Sequence, residues 1–557
     1  MSRRSVNHNA STGLQAGRIT PVYHPEQKAK SAPCQAGCVN CGDIRGWIGT
    51  IAQRSKTGIS KEQAFERAWK LIADVNPFPA TLGRICPHPC ESRCNRSEKD
   101  EPVAINAMER FLGDWAIEHE ISLPRLSRKP REEWLGVVGA GPSGLSFAYQ
   151  MARRGYRVTI YDKHAKAGGM LRYGVPDFRM PQHILDAEIE RILDLGVELN
   201  SGMVIGHDIT LEELRDRHSA LYLGIGAQSG RSLGIPGEDG DSVLTAVEYL
   251  SRVNLGSKTG IGRRVLVIGG GNSALDSARC ARRTGAQVSI LYRRTRAEMP
   301  AIADEVDQAL EESIQIAYLV APVRIERDLD GKLLGLAVCN MRLGEPDETG
   351  RHRPVPIPDS EFVLPCDTVI SAISQQPELE GLKQLHHLGD WLVTGERGDV
   401  SPGVLAGGDV LGLGVAGNAI MQGRKAAELM HERLSGEKAT SPSEVNVTVA
   451  ATRVRMDGKS ESKAVRAPTL PAVERIQAAS TEVSGTISEE QFLAETERCF
   501  SCGSCFGCEQ CAMYCTTGCY TRLDQVSPGA YFSLALDACH ECGKCIEVCP
   551  CGYLESR

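Results

Sequence analysis

Cysteine is the residue type with most chemistry to offer in this chain. Of its 21 cysteines, six lie between Cys34 and Cys94, twelve between Cys499 and Cys551, and only Cys280, Cys339 and Cys366 stand apart. Those three read as small buried apolar residues. Near the C-terminus, Cys539-x2-Cys542-x2-Cys545-x3-Cys549-Pro550 has the spacing that holds [4Fe–4S] clusters, three thiolates to one cube and the fourth to its neighbour. A second run, Cys505-x2-Cys508-x2-Cys511-x3-Cys515, precedes it, with Thr516 where proline is usual. Crossed ligation then predicts one cluster on Cys505, Cys508, Cys511 and Cys549, and another on Cys539, Cys542, Cys545 and Cys515. A four-thiolate zinc site uses paired Cys-x2-Cys but does not account for two quadruplets of this spacing. Cys519 and Cys551 are left over and read as packing residues.

Two glycine-rich turns offer phosphate-binding chemistry. In the first, Trp134-Leu-Gly-Val-Val runs into Gly139-Ala-Gly141-Pro-Ser-Gly144, and a helical stretch follows. The first glycine permits the turn, the second admits a pyrophosphate to the backbone, and the third packs helix on strand. A second strand, Tyr156-Arg-Val-Thr-Ile-Tyr, ends at Asp162, where a ribose-binding carboxylate belongs. The other turn is Val265-Leu-Val-Ile-Gly269-Gly-Gly271-Asn272-Ser-Ala274, with alanine as an allowed third member. Its second strand, Val288-Ser-Ile-Leu-Tyr, ends in Arg293-Arg294. Arginines there suit the extra phosphate of NADP(H) better than the bare ribose of NAD(H), unless they merely face solvent.

The elements that must position these residues divide a chain of 557 residues into several domains. Residues 1–130 mix helical periodicity with cysteine-rich turns and read as a helical iron–sulfur domain. Short Val/Ile runs, Gly-rich turns and amphipathic helices then alternate, the pattern of α/β domains with parallel sheets. Residues 131–260 with 365–436 read as one Rossmann-type domain, and 261–364 as a second inserted in it. Residues 437–488 lack aromatic residues and cysteine and read as a linker that can wrap over the other domains. Residues 489–557 form a small α+β cysteine-rich domain.

The net charge of −7 argues against a nucleic-acid protein. Residues 1–130 are basic and residues 489–557 acidic, so the tail is a candidate for docking on that domain or on a partner. No apolar run reaches the length of a membrane span. Arg3-Arg4 is not followed by the apolar stretch of an export signal. The chain is therefore expected in the cytoplasm, where disulfide scaffolds are rare.

Gly168-Gly169-Met-Leu-Arg-Tyr-Gly-Val-Pro-Asp-Phe-Arg-Met-Pro181, with Val267–Asp276 and Tyr292–Ala301, closely resembles the glutamate synthase small-subunit family. That family includes the N-terminal half of dihydropyrimidine dehydrogenase. Leu405-Ala-Gly-Gly408-Asp409-Val resembles its second FAD contact, which implies Asp409 toward the ribityl chain. One departure is Ser374, where the family usually has glycine. The resemblance spans roughly residues 34–434 and implies FAD in the first Rossmann-type domain and nicotinamide in the second. It also implies a [4Fe–4S] cluster on Cys38, Cys86 and Cys90, with Glu109 as the unusual fourth ligand. A further family cluster uses Cys34, Cys94 and two cysteines of an upstream Arg-Cys-x2-Cys motif. Nothing before Cys34 carries that motif, but Arg498-Cys499-Phe-Ser-Cys502 does. Cys499 and Cys502 folding back to complete this cluster is one expectation; Cys41 substituting, or no cluster, is the other.

These readings imply an NAD(P)H-dependent oxidoreductase with FAD and three or four [4Fe–4S] clusters. Hydride exchange at the flavin feeds single-electron transfer to or from a ferredoxin, a redox partner protein or a larger catalytic subunit of a hetero-oligomer. The alternative is a strict glutamate synthase small subunit, which lacks the ferredoxin-like tail. A disulfide reductase would need Cys-x2-Cys in the nicotinamide domain, and pyrimidine reduction would need a further barrel domain. No separate catalytic side chain is expected.

Overall fold

The computed structural model describes residues 24–28, 30–348, 350–395, 398–438, 448–478 and 480–556. Arg3-Arg4 lies outside these residues. The N-terminal domain is built from helices Ile44–Ala52, Lys61–Ala73, Pro79–Ile85 and Ile105–Glu118. Ser60 and Gln63 start the second with a reciprocal capping box. Its apolar face then buries Phe65, Trp69 and Ile72. The third and fourth helices cross with almost no space between them. A Cβ on Gly83 would stand 2.4 Å from Arg110 Cα, and one on Gly113 2.3 Å from Ala80 N. Glu188, from the next domain, accepts the free N–H groups of Ala80 and Thr81 at the start of helix Pro79–Ile85.

Two parallel sheets follow. The first has the strand order Asp399–Ser401, Val404–Ala406, Ala220–Leu223, Trp134–Val138, Arg157–Asp162, Glu198–Ser201, with only the outermost strand antiparallel. The second runs Gln315–Tyr318, Gln287–Tyr292, Arg264–Ile268, Thr368–Ser371, Val243–Thr245, parallel throughout. An antiparallel three-stranded sheet, Val320–Arg327, Leu333–Pro346 and His352–Pro365, stands beside it.

Strands Val243–Thr245 and Thr368–Ser371 therefore belong to the second sheet, not to the first domain as the sequence boundaries at 260 and 365 had them. Buried parallel strands carry the same apolar signal in either sheet, so composition does not assign them. The chain crosses between the domains at Ser229–Gly230, which pairs with Gln375–Gln376 on its return. Ser374 sits at this crossing, its carbonyl accepting from Arg231 N at 3.1 Å. The domains are clamped by Arg179, which donates to both carboxylate oxygens of Asp276 at 2.9 and 2.8 Å in a nearly solvent-free contact.

In the segment expected as a linker, the described residues 448–478 and 480–488 form a packed strap. Val449 and Val454 bury with Phe500, Val483 joins the core of the second sheet, and Ile487 joins the N-terminal core. Arg475 pairs with Glu311, and Glu482 with Arg84 and Arg110. Small β-branched residues in sparse positions suffice here, because the strap fills grooves of cores that already exist. Helix Glu489–Arg498 then docks on the N-terminal domain. Phe492 stacks on Phe111 at 4.3 Å and meets Phe65 edge-on at 5.2 Å. Beyond it lie two short helices and the hairpin Tyr520–Ser527/Ala530–Leu534. Strand Leu554–Ser556 finally pairs antiparallel with Pro25–Gln27. Among the described residues no helix is long and apolar enough to cross a membrane.

Phe492→Ala is expected to cost about 3–5 kcal/mol, the range for a buried aromatic truncated to a cavity. It should open the strap to limited proteolysis before the Rossmann-type domains. Digestion at the parent rate would show that docking does not depend on this ring.

Candidate functional site

The first glycine turn is shaped by close approach. Gly139 has φ 100°, and a Cβ there would lie 2.4 Å from Gly224 O. At Gly144 a Cβ would lie 1.9 Å from Gly139 O, so helix Pro142–Ala152 rests directly on its strand. Gly141 has no such crowding, which leaves its backbone open to a phosphate. Asp162 braces this turn: Oδ2 accepts from Ala140 N at 2.6 Å and Oδ1 from His164 N at 2.8 Å. Gly169 lies against the turn, its would-be Cβ 2.8 Å from Gly141 Cα. Gly408 donates its N–H to Gln422 Oε1 at 2.6 Å and presents Asp409 to the cleft. Burial pushes the Asp409 carboxyl up to about 6, while the bond from Gly414 N opposes the shift.

The second turn repeats the design. A Cβ on Gly269 would meet Ala372 O at 2.3 Å, whereas Gly271 has open space. Asn272 opens helix Asn272–Arg283, and its Oδ1 accepts from Ile302 N at 3.0 Å. The two arginines at the end of the neighbouring strand separate. Arg293 is exposed. Arg294 is buried and turned inward, donating to His352 O at 2.7 Å with Asp347 3.7 Å away. Arg294 is thus spent on the adjoining sheet, a correction to its reading as a phosphate ligand.

Both turns open on one cleft of about 730 Å³, lined by Pro142, Met170, Gly271, Asn272, Asp409 and Gly414 among others. Its glycine floors and helix N-termini fit two dinucleotides.

The cysteines gather into four groups. Cys38, Cys86, Cys90 and Glu109 line one cavity of about 50 Å³. Glu109 is half-buried, its carboxyl raised to about 7 chiefly by loss of solvent around it and held by Asn76 Nδ2 at 2.8 Å. Cys505, Cys508, Cys511 and Cys549 line a cavity of about 150 Å³, and Cys515, Cys539, Cys542 and Cys545 one of about 170 Å³. The fourth group joins the two ends of the chain. Burial raises the Cys34 thiol, and its proximity to Cys499, Cys94 and Cys502 raises it further. Cys502 is pushed up to about 12 by burial, then by Cys499 and Cys94. Cys41 is absent both from these neighbours and from the lining of the Cys38 cavity. Among the described residues no three His, Cys, Asp or Glu side chains close on a single-ion position. Three of the groups line a cavity and the fourth brings four thiols together, donor sets with the ligand chemistry of an iron–sulfur cube.

Three residues around the end-to-end group escaped the sequence reading. Asn95 Nδ2 donates to Cys502 Sγ at 3.5 Å and to Val449 O at 3.0 Å. Arg45 donates to Cys502 O at 2.7 Å, and Lys459 to Cys499 O at 2.7 Å. Only Asn95 had a signal, its position directly after Cys94.

The second of the two glycine turns lies within the same matched region as the first. Residues 135–423 match the family described as pyridine nucleotide-disulphide oxidoreductase. The chain belongs to that family. Residues 27–121 also match dihydropyrimidine dehydrogenase domain II, 4Fe-4S cluster. The NADPH-Fe(3+) oxidoreductase subunit beta of Geobacter sulfurreducens is 40% identical over 355 residues, 63% of this chain and 52% of that protein. The chain thus spans about half the length of that relative. The NADP(+)-dependent formate dehydrogenase subunit beta of Moorella thermoacetica is 35% identical over 85% of this chain and 70% of its own length. The glutamate synthase [NADPH] small chain of Azospirillum brasilense is 31% identical, covering 75% of this chain and 88% of that protein.

Arg293→Ser is expected to raise KM for NADPH about tenfold, the loss of roughly one charge-assisted hydrogen bond, and to leave NADH kinetics unchanged. Arg294→Ser should lower the melting temperature and spare the NADPH/NADH ratio. The opposite pattern would reverse the two assignments.

Proposed function

We propose that this chain is the NADPH-linked electron-transfer subunit of a larger redox enzyme. In this reading it holds FAD at the Gly139 turn, NADP(H) at the Gly269 turn and [4Fe–4S] clusters in the four cysteine groups. The observation that carries it is a shared wall: Leu82, Cys86 and Gly417 line both the nucleotide cleft and the Cys38 cavity. A thiolate ligand therefore stands at the edge of the flavin site. When bound, the nucleotides supply hydride exchange and the clusters accept or release electrons singly.

The chain's own residues bind, orient and exclude water. Gly141 and Gly271 leave backbone open to two pyrophosphates, and Arg293 would hold the NADP 2′-phosphate. Asp409, which lines the cleft, would hold the FAD ribityl chain. The Arg179–Asp276 clamp fixes one Rossmann-type domain against the other, which would hold bound nucleotides in a set orientation across the cleft. Asn76 holds the Glu109 carboxylate toward the Cys38 cavity. Arg45, Lys459 and Asn95 fix the Cys499–Cys502 loop and place positive charge or donors near its thiolates.

The tail reads as a two-cluster ferredoxin-like domain that passes electrons to or from a one-electron partner protein. Relatives named as subunits of an iron(III) reductase and a formate dehydrogenase favour a hetero-oligomer. A glutamate synthase small chain is the second reading, favoured by the 88% coverage of that relative.

Anaerobic titration with NADPH, and separately with NADH, should bleach the flavin and bring up cluster EPR signals with NADPH first. Absence of flavin reduction by either nucleotide in FAD-replete protein would overturn the proposal. Cys499→Ser/Cys502→Ser should lose about four iron atoms per chain. Unchanged iron would remove the end-to-end cluster.

A further inference from the structure

Two cysteines, Cys519 and Cys551, have no place in the four groups. Both are buried, each 2% exposed. Burial alone is what a small apolar residue does. Their positions ask for more. Cys551 lines the cavity of Cys505, Cys508, Cys511 and Cys549, and Cys519 lines that of Cys515, Cys539, Cys542 and Cys545. Each tail cavity thus holds five thiols for a cluster that takes four.

In both quartets the fifth thiol lies next to one particular member, directly in the first and across Thr517 in the second. Cys551 Sγ is 3.9 Å from Cys549 Sγ. Cys519 donates its N–H to Cys515 Sγ at 3.3 Å, and Thr517 Oγ1 lies 3.1 Å from Cys519 Sγ and 3.6 Å from Cys515 Sγ. Cys549 and Cys515 are the two ligands that crossed ligation brings from the other run. In each quartet three thiolates share one short loop, while the fourth is placed only by tertiary packing. The extra cysteine stands beside the member that comes from outside that loop.

We propose that Cys551 and Cys519 are reserve iron ligands, able to replace Cys549 and Cys515 at their clusters. The inference rests on the cluster reading above. In the exchange the bond from iron to Cys549 Sγ breaks and one to Cys551 Sγ forms. The Cys551 thiol proton passes to the released Cys549 sulfur, and no electron is gained or lost. The same balance holds for Cys515 and Cys519. At 3.9 Å the two sulfurs of the first pair can trade places by side-chain rotation.

The experiment measures iron per chain and low-temperature EPR on the full-length protein, purified anaerobically with its clusters. Cys549→Ala should keep the iron content of the parent and change the EPR spectrum of one cluster. Cys551→Ala should leave both unchanged, and Cys549→Ala/Cys551→Ala should lose about four iron atoms. If Cys549→Ala alone loses as much iron as the double variant, the reserve role is overturned. If the double variant keeps all its iron, Cys549 is not a ligand and the cluster reading of that cavity falls instead. Should Cys549→Ala not accumulate, Cys515→Ala against Cys515→Ala/Cys519→Ala decides by the same comparison.

Discussion

A buried knot of charge joins the two ends of this chain, and the rest of the redox architecture hangs from it. Glu495 is fully buried, with Oε1 accepting from Ala104 N and Oε2 from Val465 N. Arg498, one turn on, pairs with Glu495 and Asp100 and donates to the carbonyls of Glu101, Pro102 and Ser462. Arg96 completes the knot by bonding Asp100 and the carbonyls of Arg498 and Ser460. Charges taken out of water are tolerated only when almost every donor and acceptor is matched, and here three chain segments supply the matches. Its specificity lies in that requirement. A helix displaced by one residue would leave a carboxylate and two guanidiniums buried without partners. Cys499 follows Arg498 directly, so the register of the knot is also the register of the Cys499–Cys502 loop.

Much of the chemistry was legible in the sequence because it depends on local spacing. Glycines at 139, 141 and 144 must fall where they do if a strand is to turn into a helix beneath a phosphate. The x2-x2-x3 cysteine runs are set by the size of what they hold. Segments far apart in the chain were harder to read. Arg293 and Arg294 are identical as letters, and only the hairpin around Asp347 and His352 distinguishes them. Val243–Thr245 and Thr368–Ser371 are short apolar strands that either sheet could have taken. The strap looked too poor in apolar residues to pack, yet it packs, because it adds single valines to cores built by other segments.

The nucleotide cleft and the cysteine cavities are prepared in different ways. Backbone carbonyls and glycines define the cleft, so its shape is part of the fold before any ligand arrives. The cavities are lined by side chains: burial raises Cys86 and Cys511 to about 12, whereas the bond from Cys551 lowers Cys549 to about 6. On the proposed function these thiols would have to lose their protons to bind iron, which would couple cluster assembly to local folding.

The antiparallel pairing of Pro25–Gln27 with Leu554–Ser556 sets two segments from distant parts of the sequence side by side. Segments held that close share their neighbours whatever their separation along the chain. An Arg-Cys-x2-Cys motif carried at the far end of the sequence reaches the same spatial neighbours, Cys34 and Cys94, that an upstream motif would reach.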